Sequence, residues 1–227
     1  MLQFIVDAFT EKIFCGNPAA VCIVEKFPEE KIMLKIAQEN NLSETAFAVK
    51  EKNLNSVEFE TMRGNFSVTK DNNFFEMNFP AYDYKKIPVT AEMSEAIGEK
   101  VLEAYLSRDL LMILENEEKI KNLRPDFEKL KKLDGLIQAV TAKSSEKNFD
   151  CVSRVFAPKI KILEDPVTGS THCLIAPIWA KKTGKNILKC YQASERGGEL
   201  ICEIFDERVK ISGKAVLFAE SKLNIEE

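Results

Sequence analysis

The sequence predicts an α+β fold in two halves, each rich in short strands and carrying a helix or two. Three observations carry this. Apolar residues alternate or run for strand lengths through most of the chain, as in "LQFIVDAF" and "AAVCIVEK". Helical spacing is confined to a few segments separated by Pro, Gly and Asn turns. The 227 residues, 45% of them hydrophobic, suffice for one large domain or two small lobes.

Taken in order, "LQFIVDAF" and "AAVCIVEK" are strands joined by the turn-rich "TEKIFCGNP". "PEEKIMLKIAQENN" is the first helix, opened by Pro28 and two glutamates, with Ile32, Leu34 and Ile36 as its apolar face. "ETAFAVKE", "SVEFETM", "NFSVTK" and "FFEMNFP" read as four strands with turns at Arg63–Asn65 and Asp71–Asn73, and Pro80 to about Val89 as a connector. "EAYLSRDLLMIL" gives two strand pieces, Pro125 to Lys132 a charged helical stretch, and "LIQAVTAK" and "FDCVSRVFA" two more strands. After one apolar helix, "KCYQAS", "ELICEIF", "RVKISG" and "AVLFAE" end the chain as strands, with a turn at Gly197–Gly198.

Net charge is −4 and the basic residues are interleaved with acidic ones, which argues against a nucleic-acid footprint. No apolar run approaches the ~20 residues of a membrane span. The N-terminal stretch alternates like a strand and has no basic n-region or cleavage site, so a cytoplasmic location with reduced thiols is expected. Six scattered cysteines and a single histidine, His172, show no metal-ligand spacing, so no metal site is expected.

The most informative stretch is "EDPVTGSTHCLIAPIWA". From Ser170 to Lys182 apolar residues occupy all sides of a three-turn helix, which marks it as buried. Pro177 has no N–H and leaves the Cys173 carbonyl short of a partner. The helix N-terminus then lies in the interior with Gly169 and Ser170 in its first turn, where free N–H groups and the helix dipole favour an anion such as a carboxylate or phosphate. The alternative is that Thr168 or Ser170 merely caps a core helix. Asp165 either caps as well or serves as acid/base or orienting group. His172 reads as a satisfied core histidine. Glu44, in "NNLSETAF", stands where a helix gives way to an apolar strand. Aimed at the interior it would have a raised pKa; in isolation it reads as a surface glutamate or part of a Ser43 cap.

Five segments in this order, "DAFTEKIFCGNPAAVCIV", "NNLSETAFAV", "FAPKIKILEDPVTGSTHC", "ERGGEL" and "VKISGKAVLF", resemble the PhzF-like (phenazine biosynthesis-like) family over nearly the whole chain. The resemblance implies a diaminopimelate epimerase-like fold: two lobes, each a curled, mostly antiparallel sheet around a central helix, with the active site between them. It places a first lobe at 1–85, a second at 86–213, and a strand at about 214–220 returning to the first. It implies a homodimeric, cofactor-independent isomerase acting on a small carboxylate-bearing metabolite of the trans-2,3-dihydro-3-hydroxyanthranilate type. Glu44 matches the family's proton-moving glutamate, Asp165 its acidic partner, and Gly169 and Ser170 the substrate-binding helix start. This sequence departs from the family in one place. Between the Glu44 strand and "SVEFETM" the family has a further strand and a Gly-His motif opening the first lobe's central helix, and here a few tens of residues are missing at the polar join Lys50–Ser56. A first lobe lacking that helix must collapse, borrow from a partner, or be unstable. Non-catalytic metabolite or partner binding is therefore the alternative function. Cys15-Gly16-Asn17 resembles the thiol motif of two-cysteine racemases, but Thr168 stands where the second cysteine would precede Gly169.

Overall fold

The computed structural model describes residues 1–49, 56–61 and 64–225. The join at Lys50–Asn55 and the turn residue Arg63 lie outside the described residues. In chain order the elements are β1 (Leu2–Ala8), β2 (Asn17–Val24), α1 (Glu30–Asn40), β3 (Glu44–Val49), β4 (Ser56–Thr61), β5 (Gly64–Asp71), β6 (Phe74–Pro80) and β7 (Lys85–Ile87). Then follow α2 (Ala91–Ile97), β8 (Glu103–Leu106), β9 (Leu110–Ile113), α3 (Glu117–Lys121), α4 (Phe127–Leu130), β10 (Gln138–Lys143), β11 (Cys151–Ala157) and, after one 3₁₀ turn, β12 (Ile162–Asp165). The chain closes with α5 (Gly169–Thr183), β13 (Ile187–Gln192), β14 (Gly198–Phe205), β15 (Arg208–Gly213) and β16 (Ala215–Lys222).

These strands form two sheets. The smaller has the order β16-β1-β2-β3, with β2 and β3 parallel and the other pairs antiparallel. The larger runs β4-β5-β6-β15-β14-β13-β11-β10-β9-β8-β7, with β12 on β11. The architecture is the α+β one expected. The sheets divide the chain differently from the lobe boundary drawn at residue 85: β6 pairs with β15, so β4–β6 belong to the larger sheet. β16 leaves that sheet after Gly213 and pairs with β1.

The centre of the large sheet is buried on both faces, which is why β9 reads as an unbroken apolar run and every residue of β11 is buried, Ser153 and Arg154 included. Leu111, Ile113, Ala139 and Val155 join the cluster around α5, while Leu110, Met112, Val140, Val152 and Phe156 join the one formed with α2 and α4. Nine of the fifteen α5 residues, Thr171 to Trp179, are buried, as its apolar circumference requires. The carbonyl orphaned by Pro177 finds a donor outside the helix: Tyr82 N–H bonds Cys173 O at 3.0 Å. The connector thereby latches onto α5 at its proline.

The first helix differs in detail from its expected face. Ile36 is buried, but Leu34 is 55% exposed, because it lies two residues from either neighbour and about 200° around the helix. Asn41 ends α1 in the left-handed conformation (φ 49°), its N–H on Ala37 O, and turns the chain into β3 at Glu44. Two helices, α2 and α3, and the short strand β7 inside the expected connector were not anticipated. Among the described residues no helix is long and apolar enough to cross a membrane, and no group of three or more His, Cys, Asp or Glu is placed to hold a metal ion.

Candidate active site

The start of α5 is pinned from β12 and from the end of β13. Gln192 is fully buried at the last position of β13. Its Oε1 accepts from Thr168 N at 2.9 Å, and its Nε2 donates to Asp165 O at 2.7 Å and to Thr168 Oγ1 at 3.2 Å. Ser194 Oγ donates to Pro166 O at 2.7 Å. The Asp165–Thr168 turn is thus held by side chains from one neighbouring strand end.

Thr168 occupies the N-cap position with extended backbone, yet its side chain caps nothing. Its hydroxyl is spent on Asp165, donating to Oδ2 at 2.5 Å. The simple capping alternative fails for this reason. The first-turn N–H groups of α5 have no side-chain cap from Thr168, and Gly169 and Ser170 in that turn are both half-buried. Ser170 Oγ accepts from an Arg108 terminal nitrogen at 3.2 Å.

Glu44 reaches the same place from the other sheet. It is the first residue of β3, in register with Ala19 of β2. Its side chain opens to solvent, and no described residue donates a hydrogen bond to it. The protein around it and the charge of Asp165 both disfavour its ionised form and raise its pKa. Burial also raises the pKa of Asp165, and the Thr168 hydroxyl partly offsets that rise. Two carboxyl groups remote in sequence therefore both hold protons to a higher pH than free side chains, Glu44 partly through the charge of Asp165 and Asp165 through its own burial. Asp165 stands in the turn that leads into Gly169 and Ser170, and its charge reaches Glu44 at the start of β3.

His172 is fully buried and only half satisfied. Its Nδ1 lies 2.7 Å from Thr168 O, while Nε2 has no hydrogen-bond partner. Cys15 is a half-exposed free thiol, and all six cysteines are free. The backbone at this point holds the loop in place, since Cys15 O and Gly16 O accept from Arg196 at 3.0 and 2.8 Å.

That arginine is the main feature the sequence reading missed. Arg196, from the "ERGGEL" segment, also pairs with Asp7 Oδ1 at 2.6 Å, and Asp7 Oδ2 accepts from Phe14 N at 2.9 Å. Gly16 N donates to Gly197 O at 2.7 Å and Glu199 N to Phe9 O at 2.9 Å, so the β13–β14 loop clasps the β1–β2 loop. Gly16 is glycine because it has φ +66° and a Cβ there would stand 2.1 Å from Ala8 O. Gly198 admits the close approach, since its Cβ would meet Val167 at 2.4 Å. The available signal was that Asp7 and Arg196 each lie within a recognised motif.

The chain matches the PhzC-PhzF family, described as "Phenazine biosynthesis-like protein", over residues 6–56 and 52–221, two pieces that meet at the polar join. It is 35% identical to an "Uncharacterized isomerase" of Pseudomonas aeruginosa, with 97% of each chain covered over 255 aligned positions. This chain of 227 residues leaves at least 28 of those positions unfilled. A crystal structure titled as a phenazine biosynthesis protein of the PhzF family, from Enterococcus faecalis, superposes with a TM-score of 0.93 at 39% identity, covering 99% of each chain. A putative PhzC/PhzF protein from Clostridium difficile gives 0.90 at 37% identity, covering 99% of this chain and all of the other. A predicted epimerase of Pseudomonas aeruginosa shares the fold, with a TM-score of 0.70 at 15% identity and 99% of each chain covered. With its motif order, its α5 turn and its two-sheet architecture in agreement, this chain belongs to the phenazine biosynthesis-like PhzC-PhzF family.

Proposed function

We propose that this chain is an isomerase that moves a proton between two carbons of a small carboxylate-bearing metabolite, of the trans-2,3-dihydro-3-hydroxyanthranilate type. The observation that carries the reading is that Asp165, at an uncapped helix start, stands near enough for its charge to act on Glu44. Glu44, as carboxylate, takes a proton from a substrate C–H, and as carboxylic acid it returns the proton to a second carbon. Atoms and electrons balance, since the bonding pair left by the first C–H shifts through the substrate to the second carbon. The raised pKa brings both protonation states of Glu44 closer to neutral pH, which favours a group that must take and return a proton in one cycle. Asp165, fixed by Thr168 and the Gln192 clamp, holds a polar group of the substrate opposite Glu44. The N–H groups of Gly169 and Ser170 hold the substrate carboxylate, aided by the Ser170 hydroxyl. Relatives bearing the name isomerase support this reading.

The test is solvent-deuterium incorporation into this substrate class in D₂O. Glu44→Gln is expected to abolish incorporation while binding persists, and undiminished incorporation by that variant would remove Glu44 from the mechanism. A second reading, metabolite binding without turnover, is favoured by the 28 or more positions that relatives fill and this chain does not. It predicts saturable carboxylate binding, weakened by Ser170→Ala or a bulky residue at Gly169, with no deuterium incorporation even in the parent chain.

A further inference from the structure

We infer that Arg108 is a positioning residue for the substrate carboxylate, fixing the Ser170 hydroxyl and cancelling the charge of Asp109 beside the first turn of α5. The inference rests on the carboxylate cradle proposed above.

Arg108 and Asp109 form the turn between β8 and β9. Asp109 is completely buried, and Thr171 Oγ1, in the first turn of α5, donates to its Oδ2 at 3.1 Å. A buried carboxylate beside a helix N-terminus sits close to where the substrate carboxylate would be held. Uncompensated, it would draw on the same dipole and repel a second anion. Arg108 supplies the compensation through a two-pronged pair, Nε to Oδ1 at 2.8 Å and a terminal nitrogen to Oδ2 at 2.5 Å.

The same terminal nitrogen donates to Ser170 Oγ. A hydroxyl oxygen that accepts from a guanidinium keeps its own O–H as a donor for another acceptor. The guanidinium is held further by the Tyr82 ring, 4.9 Å from its centroid, and Tyr82 is itself tied to α5 through its backbone bond to Cys173 O. The Arg108 side chain remains 26% exposed, against none for Asp109, so one edge stays open to solvent. A lysine cannot reproduce the fork, because one ammonium cannot meet both carboxylate oxygens and the serine in the same plane.

A purely structural ion pair would anchor α5 to the β8–β9 turn and nothing more. Its loss would lower stability and leave ligand selectivity unchanged. The distinguishing readout is therefore the affinity ratio between a carboxylate and its neutral carboxamide. The experiment measures binding of anthranilate and anthranilamide to the full chain by calorimetry at low salt, with thermal unfolding of each variant recorded alongside. The parent is expected to prefer the carboxylate. Arg108→Met should cut the preference by about tenfold, the loss expected for one charge-assisted interaction. Arg108→Lys should fall between the two, and adding Asp109→Asn to Arg108→Met should restore part of the preference. An unchanged ratio in a cooperatively folded Arg108→Met would overturn the inference. Should that variant not fold, Asp109→Asn alone decides: it should raise carboxylate preference above the parent, and no change would refute the charge argument. If the parent shows no preference for the carboxylate, the cradle reading itself fails; if the parent discriminates and the variants match it, only the role of Arg108 fails.

Discussion

Replacing Arg196 by Met tests the clasp between the two sheets. The substitution keeps an unbranched apolar stem of similar reach and removes three bonds: one to Asp7 Oδ1 and one each to the Cys15 and Gly16 carbonyls. The Asp7 side chain is only 4% exposed, so it cannot regain full hydration once the guanidinium is gone. Breaking a buried pair from one side costs about 3–5 kcal/mol. The Arg196 side chain is 30% exposed, so water reaches the site, and Asp7 keeps its bond from Phe14 N. Those two facts discount the loss to about 2–3 kcal/mol. Asp7→Asn should cost less, since its amide oxygen still accepts from Phe14. The double variant should be less destabilised than the sum by at least about 1 kcal/mol, because it removes both charges and so strands neither. Urea unfolding midpoints of the four proteins at constant m-value supply the assay. A loss below about 0.5 kcal/mol for Arg196→Met, or strict additivity of the pair, would show that the clasp is solvated surface chemistry.

Two further outcomes are expected. Glu44 and Asp165 have folded-state pKa values raised above the ordinary 4.5 and 3.8, so the fold binds their protons more tightly than the unfolded chain does. Their contribution to stability is therefore greatest at low pH and is lost as pH rises through the raised values. Glu44→Gln and Asp165→Asn should each raise the melting temperature at neutral pH, and the gain should fade toward pH ~4; a pH-independent difference would contradict the linkage. Gln192→Leu leaves Thr168 N and Asp165 O without their buried partners, and should cost about 3 kcal/mol by denaturant unfolding while weakening carboxylate binding.

Periodicity made most of the strands legible, and the α5 helix was readable to within one residue at each end. The Cys173 carbonyl shows how far local chemistry reaches. Pro177 announces an orphan acceptor in the sequence, but only the fold supplies Tyr82 as its donor. α2 carried start and stop signals, Thr90 and Gly98, with Gly98 in the left-handed conformation (φ 76°). A seven-residue helix between a connector and a strand has too short a periodic stretch to stand out beside them. Thr168 is the converse case: its residue type announces a cap, and its bond to Asp165 cancels the cap. Gln192 and Arg108 had no signal at all, because their roles depend on which strand ends meet the start of α5.

The β6–β15 pairing and the separation of β16 from β15 have a functional consequence. β1 to β3, with Glu44, belong to one sheet, while Asp165, Gly169 and Ser170 hang from the other. The effect of Asp165 on Glu44 is therefore a property of how the sheets are held, and the Arg196–Asp7 clasp and the backbone bonds of Phe9 and Gly16 hold them. The small sheet is unequally supported. Ala20, Cys22 and Val24 are buried on the side where Gln3 bonds Asn40 of α1. Phe4, Val21 and Ile23, on the face that Glu44 shares, are only half-buried, and Leu2 is 44% exposed. Relatives fill at least 28 further positions in this alignment, and the two matched pieces of the family meet just after β3. Apolar surface left open beside Glu44 admits water, and water weakens the desolvation that raises its pKa. The Asp165 half of the site stands on a completed core, with Val167 and Thr168 buried against α5 and β13, so its proton affinity is better protected. The two halves should then respond differently to added salt: the Glu44 titration should shift toward the ordinary value as screening weakens the Asp165 repulsion, while that of Asp165, set by burial, should move little. Carboxyl ¹³C titrations of the two side chains measure both, and equal salt shifts would mean that the site is a single enclosed unit.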